Sequence, residues 1–535
     1  MNSFALTGGR AIDGTGADAF DATVLVEDGR IARVLRSDDA ISADVARVEC
    51  SGRVVCPGFI DMHSHEMCVL SDRRARSKIA QGITTEVVGN CGMSNAPAVT
   101  EAGRAEVAER LAGFGFYDGE ITWRTVGEYL DMIEAAPPRT NTVQLVGLGT
   151  IRACVMGYAA REATADELAR MEDLVSEAMD AGCRGVSTGL IYPPGCYSTT
   201  DELVRLAKRA AARGGLYFSH IRGEGDTVVE AVEEVVAIAR GAECGAHIAH
   251  FKALGRPCWG SCERTREIVA RANDEGLDVT YDCYPYSAAS TVMSAILPDW
   301  AHEGGTAELL RRLAAGAAGE RPRLRADIEA GLTFMKGATF DDILIVRSKA
   351  YPDRAGETVA KIASGVGADP YDVAFDILEA EPGIQMVLHG MDPEEVKANI
   401  LGPHAMIGTD GFGLDPDGPL GAGYPHPRSY GSFPRAIAWL VRDEGACPLA
   451  EMVAKMTGRA ARKLGLDDRG FIREGAVADL VVFDPGRIAD AATFVDPHRL
   501  PDGIDAVYVA GEAAYDGGAK DAVGEPDGRV LRWSP

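Results

Sequence analysis

The sequence predicts an α/β protein: a (β/α)8 TIM-like barrel, a small β-sandwich domain built from both chain ends, and an insertion near residues 295–380. Three observations predict it. The middle of the chain alternates strand-like and helical runs at about thirty residues per unit, the pattern of a parallel sheet. The first fifty and the last seventy residues read as short strands instead. A chain of 535 residues also exceeds one small core, so a large domain with a smaller companion is expected. Residues 1–55 and 467–535 are assigned to the β domain, and 56–466 to the barrel.

The elements follow in order. In "VLVEDGRIARVL" (24–35) two apolar runs flank Asp28-Gly29, a strong hairpin signal. "VVCPGFIDMHSH", "TTEVVGNCG" and "NTVQLVGLGT" are strand candidates. From 184, "RGVSTGL" is a strand and "TTDELVRLAKRAAAR" a helix. Thr199-x-x-Glu202 is its expected capping box and Gly214-Gly215 its stop. "LYFSHIR", "AHIAHFK" and "LDVTYDCYPY" are strands, separated by the helical "DTVVEAVEEVVAIAR" and "CERTREIVARANDEG". "IQMVLHG" and "AMIGTDG" follow. That makes nine candidates for eight places, and the sequence does not say which is extra. Residues 295–380 fit the repeat poorly and are expected to form a lid or insertion. "GAVADLVVFD" and "DAVYVAGEAAYDGG" return the chain to β structure.

Composition excludes some functions. Hydrophobic residues are 46% and charged residues 25%, ordinary for a globular protein. The net charge of −26 argues against nucleic-acid or anionic-membrane binding, which needs clustered Lys and Arg. No run of eighteen uncharged apolar residues suggests a membrane span. "MNSFALTGGRAIDGTG" lacks the basic and apolar regions of a secretory signal. The 12 cysteines show no regular pairing and read as reduced thiols. A cytoplasmic location is therefore expected. Nothing specifies an oligomeric state.

Strand C-termini in such a barrel converge on one face, where sites are built. Reading off those ends gives His63, His65, Cys91, His220, His250 and Asp410. His63 and His65 are two apart, so a strand projects both to the same side. His220 and His250 stand thirty residues apart, at the same place in successive units. Each has an ordinary alternative. Cys91 could be a small buried residue, the histidines could bond carbonyls in the core, and Asp410 could cap a helix. Their shared position favours a metal site instead. Imidazoles, a thiol and a carboxylate are the donor set of zinc.

Beyond these residues, "PGFIDMHSH", "GITTEVVGNCG", "STGLIYPPG", "SHIRGEG", "HIAHFKALG", "YDCYPYSAAST", "GTDG" and "HPRSYGSFPR" resemble the N-acyl-D-amino-acid deacylases (D-aminoacylases) of the metal-dependent amidohydrolase superfamily. The resemblance runs nearly the whole chain, and "GNCG", "HFK" and "HPR" are specific to this branch. It implies one tight zinc held by Cys91, His220 and His250. It implies a second, weaker position at His63 and His65, with Asp410 near both. Lys252, Tyr284, Ser290 and Arg428 match positions that grip the substrate's carboxylate. Tyr192 is expected to polarise the scissile carbonyl. Two positions depart from the family pattern. Glu66-Met67 stands where an acidic pair is common, and Leu148 where some members carry histidine.

The implied reaction is hydrolysis of N-acyl-D-amino acids to a carboxylate and a D-amino acid. Asp410 would act as general base and then acid. Arg428 suits a carboxylate because its planar fork bonds both oxygens. The implied partner is a small-molecule or peptide-like substrate carrying a carboxylate. Two rivals remain at this point. One is ring opening of a cyclic amide, as in hydantoinases or dihydroorotases; the other is a non-catalytic scaffold with the same fold.

Overall fold

The computed structural model describes residues 3–36, 41–65, 69–117, 119–316, 319–331, 333, 337–525 and 527–534. Its centre is a parallel sheet of eight strands: β1 (Phe59–Asp61), β2 (Ile83–Val88), β3 (Asn141–Gly147), β4 (Gly185–Gly189), β5 (Leu216–His220), β6 (Ala246–Ile248), β7 (Val279–Cys283) and β8 (Ala405–Ile407). Each of the seven pairings from β1–β2 round to β7–β8 is parallel. Every residue of these strands is buried, as expected where helices cover the outside and side chains fill the inside.

The sheet nearly closes. The Met62 N–H donates to the Ile407 carbonyl (3.3 Å) and the Asp410 N–H to the His63 carbonyl (2.7 Å). Just beyond, Ser64–His65 pairs in parallel with Gly411–Phe412. Lys78 pins this seam from beneath. Its fully buried Nζ lies 2.7 Å from Asp61 Oδ2 and donates to the hydroxyls of Ser64 (2.8 Å) and Thr409 (2.6 Å).

The ninth strand candidate is accounted for. Gln385–His389, in "IQMVLHG", does not enter the barrel. It lies between Ala288–Val292 and Ile343–Ile345 in a separate three-stranded antiparallel sheet. Its edges are taken by chain that leaves β7, so it cannot also pair with β8. Helices Thr306–Leu313, Arg321–Glu329, Val359–Val366 and Pro370–Ala380 complete this excursion.

Both chain ends supply the remaining sheets. Ser3–Thr7, Thr23–Glu27, Arg30–Leu35 and Ala46–Glu49 form one of four strands. In the other, of seven strands, Val54–Pro57 pairs with Leu480–Phe483 and so joins the two ends of the chain. Phe4, Val24 and Ile31 of the first sheet pack with Val55, Leu480 and Tyr508 of the second in one core, which makes a sandwich. The Asp28-Gly29 hairpin forms with φ of 48° and 76°, the doubly left-handed turn that matches strand twist.

The capping box at Thr199 forms only by half. The Thr199 hydroxyl accepts from the Glu202 N–H at 3.2 Å, but the Glu202 carboxylate does not return. It is buried and bound by Arg152 Nη1 at 2.5 and 2.6 Å. A buried guanidinium outweighs a single backbone N–H as a partner.

Candidate active site

The predicted metal-type residues meet at the C-terminal mouth of the barrel. His63 and His65 follow β1, Cys91 follows β2, His220 ends β5, His250 follows β6 and Asp410 follows β8. All six are buried. Three of them hold left-handed backbone: Cys91 (φ 56°), His250 (φ 35°) and Asp410 (φ 50°). That conformation is uncommon outside glycine, and such strain gathers where function fixes a side chain. In "GNCG" the turn needs its glycines. A Cβ on Gly89 would lie 2.1 Å from the Leu145 carbonyl oxygen, and one on Gly92 2.7 Å from the Gly189 nitrogen.

The donor atoms converge. Cys91 Sγ lies 3.3 Å from His63 Nε2 and 3.7 Å from His250 Nε2. His250 Nε2 is 2.7 Å from His220 Nδ1. Asp410 Oδ1 lies 3.3 Å from His63 Nε2 and 3.1 Å from His65 Nε2. Ligand atoms of His63, Cys91, His250 and Asp410 all fall within 4.8 Å of one another, and those of His220, Glu224 and His250 do likewise. The two groups share His250, so the donors form one cluster. A borderline-soft divalent cation fits this set of thiol, imidazole and carboxylate. The buried Nε2 of His220, which has no hydrogen-bond partner, supports the same fit.

Electrostatics favour the ligating, anionic forms of the thiol and the carboxylate, while the imidazole of His250 is held protonated, so a cation entering the cluster displaces that proton. Burial pushes the Cys91 thiol up, but His63 and the bonds from His220 and His250 outweigh it and hold it well below its ordinary value. Burial also raises Asp410, yet the charges of Arg428, His63 and His250 keep it far below the usual carboxylate range. Burial and Lys252 oppose charge on His250, but Asp410, Glu224 and Cys91 raise it to about 9.

The substrate-type residues lie around a small cavity of ≈ 50 Å³ beside the cluster, lined by Tyr192, Lys252, Ser290 and Arg428 among others. Lys252 Nζ sits 2.5 Å from Glu224 Oε1 and 2.8 Å from His250 Nδ1. Arg428 Nη1 lies 2.7 Å from Asp410 Oδ2, and its Nη2 donates to the Ser290 carbonyl at 3.0 Å. The guanidinium also stacks 4.8 Å over the buried ring of Tyr284. The Ser290 hydroxyl donates to the Met386 carbonyl at 2.8 Å, so it is engaged with the neighbouring strand. The Tyr192 hydroxyl lies 2.7 Å from that of Thr291, with its ring edge-on to His220 at 4.9 Å. Leu148 is buried at the start of the helix Leu148–Met156. Glu66 and Met67 lie outside the described residues.

Sequence reasoning missed three residues. Glu224, in "SHIRGEG", bridges Lys252, His250 (3.1 Å) and His220 (3.7 Å). Asp282 on β7 accepts from His63 Nδ1 (3.3 Å), His247 Nε2 (3.1 Å) and the His250 N–H (3.0 Å). A lone acid inside the apolar "VTYDC" was the available signal, because a buried charge requires partners. His426 of "HPR" is the third. Its Nδ1 accepts the Arg428 N–H at 2.9 Å and its Nε2 donates to the Ala288 carbonyl at 2.9 Å, which docks the arginine to the inserted sheet.

Three comparisons place this geometry among known proteins. Residues 47–515 match the model described as the amidohydrolase family. A D-aminoacylase from Alcaligenes xylosoxydans xylosoxydans is 36% identical over 98% of this chain and 96% of its own. An N-acyl-D-glutamate deacylase from the same organism is 34% identical over 98% and 96%. The crystal structure of N-acyl-D-glutamate deacylase from Bordetella bronchiseptica, complexed with zinc and a phosphonate mimic of the tetrahedral intermediate, superimposes with a TM-score of 0.82. It is 35% identical, with 99% of each chain covered. D-hydantoinase shares the fold at a TM-score of 0.54 and 17% identity.

Proposed function

The chain belongs to the amidohydrolase family, and within it to the N-acyl-D-amino-acid deacylases; from that membership we propose its reaction in terms of its own residues. It is a zinc-dependent hydrolase of N-acyl-D-amino acids that releases a carboxylate and a D-amino acid. The observation that carries this reading is the cluster of Cys91, four histidines and Asp410, set beside the cations Lys252 and Arg428. The likeness to D-hydantoinase is one of fold alone, so the cyclic-amide reaction has no comparable support.

Cys91, His220 and His250 would hold the tight zinc, with His63 and His65 at a second, weaker position and Asp410 beside both. Zinc, when bound, supplies Lewis-acid polarisation of the carbonyl and a lowered pKa for the attacking water. Asp410, kept ionised by Arg428 and His63, takes the proton of the attacking water. It then passes that proton to the departing nitrogen, as general base and then acid. Tyr192, whose ring packs against His220, supports the carbonyl oxygen through its hydroxyl.

Arg428 and Lys252 receive the α-carboxylate; Tyr284 backs the Arg428 guanidinium, and the Ser290 hydroxyl joins them only by turning from the Met386 carbonyl. Both cations are already paired, Lys252 with Glu224 and Arg428 with Asp410. An incoming carboxylate therefore shares a guanidinium whose fork has a second face to offer. With carboxylate and carbonyl both fixed, only one configuration at Cα directs the side chain into open space.

The catalytic unit is taken as residues 56–466, with 295–380 as the cover of its mouth and residues 1–55 with 467–535 as the small domain. The described cysteines are free thiols, which fits a cytoplasmic enzyme. Among the described residues no helix is long and apolar enough to cross a membrane. Chelation followed by zinc readdition tests the assignment. Activity on N-acetyl-D-amino acids should vanish and return, and X-ray absorption should show sulfur bonded to zinc. A spectrum with only nitrogen and oxygen neighbours would reject Cys91 as a ligand.

A further inference from the structure

A second, larger cavity of ≈ 410 Å³ opens from the metal cluster. It shares Cys91, Met93, Phe114, Ile191, Tyr192 and Val292 with the small cavity, so a substrate held at Lys252 and Arg428 extends into it. Its volume greatly exceeds what an acetyl group or an alanine side chain would fill. The helix Glu101–Phe114 measures out one wall. Phe114 stands at the metal end, Arg110 one turn out and Glu106 two turns out, about 6 and 12 Å along the axis.

The charges along this wall are already matched. Arg110 Nε donates to Glu106 Oε1 at 2.9 Å and its Nη2 to the Ser94 carbonyl at 2.6 Å. Arg347, which lines an adjoining apolar cavity of ≈ 160 Å³, is bound likewise by Glu381 at 2.9 Å. The remaining lining cation, Lys349, is exposed. Against these stand Glu106, Glu109, Asp299 and Glu381 in the large cavity. Arg110 Nη1, Glu106 Oε2 and Glu381 Oε2 are buried with no hydrogen-bond partner among the described residues. Their side chains are only 9%, 9% and 6% exposed. These atoms are covered by the wall as it stands. A group that reaches them through a small side-chain turn meets one donor and an acceptor on the Arg110–Glu106 pair and another acceptor on Glu381. That suits a neutral group that both gives and accepts hydrogen bonds. A carboxylate there would face two carboxylates and find no uncommitted buried cation among the described residues.

We propose that this cavity is the specificity pocket, that it takes a long uncharged arm of the substrate, apolar at the metal end and ending in an amide-type group, and that it rejects a carboxylate. The proposal rests on the deacylase reading and narrows its substrate class. The arm is either the D side chain or the acyl chain, and two isosteric pairs separate them. N-acetyl-D-glutamine against N-acetyl-D-glutamate varies the side chain. N-succinamyl-D-leucine against N-succinyl-D-leucine varies the acyl chain. In one pair at least, kcat/KM should favour the amide by ~100-fold or more, since opposing a buried like charge is strongly unfavourable. Glu106→Gln leaves Arg110 uncompensated, and it should cut that ratio about tenfold. The ratio within one enzyme is insensitive to a general loss of folding. Ratios near one or below in both pairs would overturn the proposal. Absence of turnover on N-acetyl-D-leucine would overturn the deacylase reading beneath it.

Discussion

Arg428 and Asp410 form a buried ion pair, Nη1 to Oδ2 at 2.7 Å, between a strand-end carboxylate and the helix Arg428–Ala436. Asp410 also faces His63 and His65 through its other oxygen. One carboxylate thus joins Arg428, the cation proposed to anchor the substrate, to the cluster of thiol and imidazoles. In the proposed reaction, carboxylate recognition and proton transfer are coupled through this single contact, and substitution separates the two.

Asp410→Asn should retain zinc and lose turnover. The side chain keeps its size, while the proton carrier and the partner of Arg428 both go. The loss in kcat should be at least ~10²-fold, read beside zinc content by elemental analysis. A mutant with full zinc and most of its kcat would remove Asp410 from proton transfer.

Arg428→Lys should hurt free-carboxylate substrates more than their C-terminal amides. Lysine keeps the charge and loses the fork, so one charge-assisted bond of ~1.5–3 kcal/mol disappears. For an N-acyl-D-amino acid, kcat/KM should fall roughly tenfold or more. Equal losses on acid and amide would mean that Arg428 acts only through Asp410.

Glu224→Gln should loosen the metal without unfolding the barrel. Glu224 sets the ring of His250 from Nδ1 and also neutralises Lys252. Carboxylates that orient metal-binding imidazoles are typically worth ~10–100-fold in metal affinity. Competition with a chelator of known strength measures this, and unchanged zinc affinity would reduce Glu224 to a partner of Lys252.

His302 gives the fold an acid sensitivity of its own. Burial holds it at about 4, below an ordinary histidine, and its neutral Nε2–H donates to the Ser294 carbonyl at 3.1 Å. A lowered value means that the unfolded chain takes up the proton first. Its contribution is complete above about pH 6.5 and is lost as pH falls toward 4. His302→Gln should therefore lessen the drop in Tm between pH 7 and pH 5, an effect of ~1–2 kcal/mol. Parallel Tm curves for mutant and wild type would show that His302 does not titrate with folding.

Much of this was legible because it is periodic or sits at fixed offsets. The β–α repeat exposed the barrel, and strand ends pointed to Cys91, His220, His250 and Asp410. What escaped is non-local. Gln385–His389 has a strand's composition, and only its partners, Ala288–Val292 and Ile343–Ile345, exclude it from the barrel. Glu202 reads as a helix cap until Arg152, fifty residues away, claims it. Glu224 and Asp282 serve residues on other strands, so no local spacing marks them. The left-handed backbone at Cys91, His250 and Asp410 also leaves no trace in composition, since it is imposed by the loops that aim those side chains.

Loaded with zinc, this cluster is proposed to cleave linear amides of D-configured amino acids. The most direct test is kcat/KM for N-acetyl-D-methionine and its L enantiomer, measured on the same zinc-loaded enzyme with chiral analysis of the amino acid released. D-methionine should be released with a preference of at least ~10²-fold over the L form. Equal rates for the two enantiomers, or a preference for the L form, would contradict it.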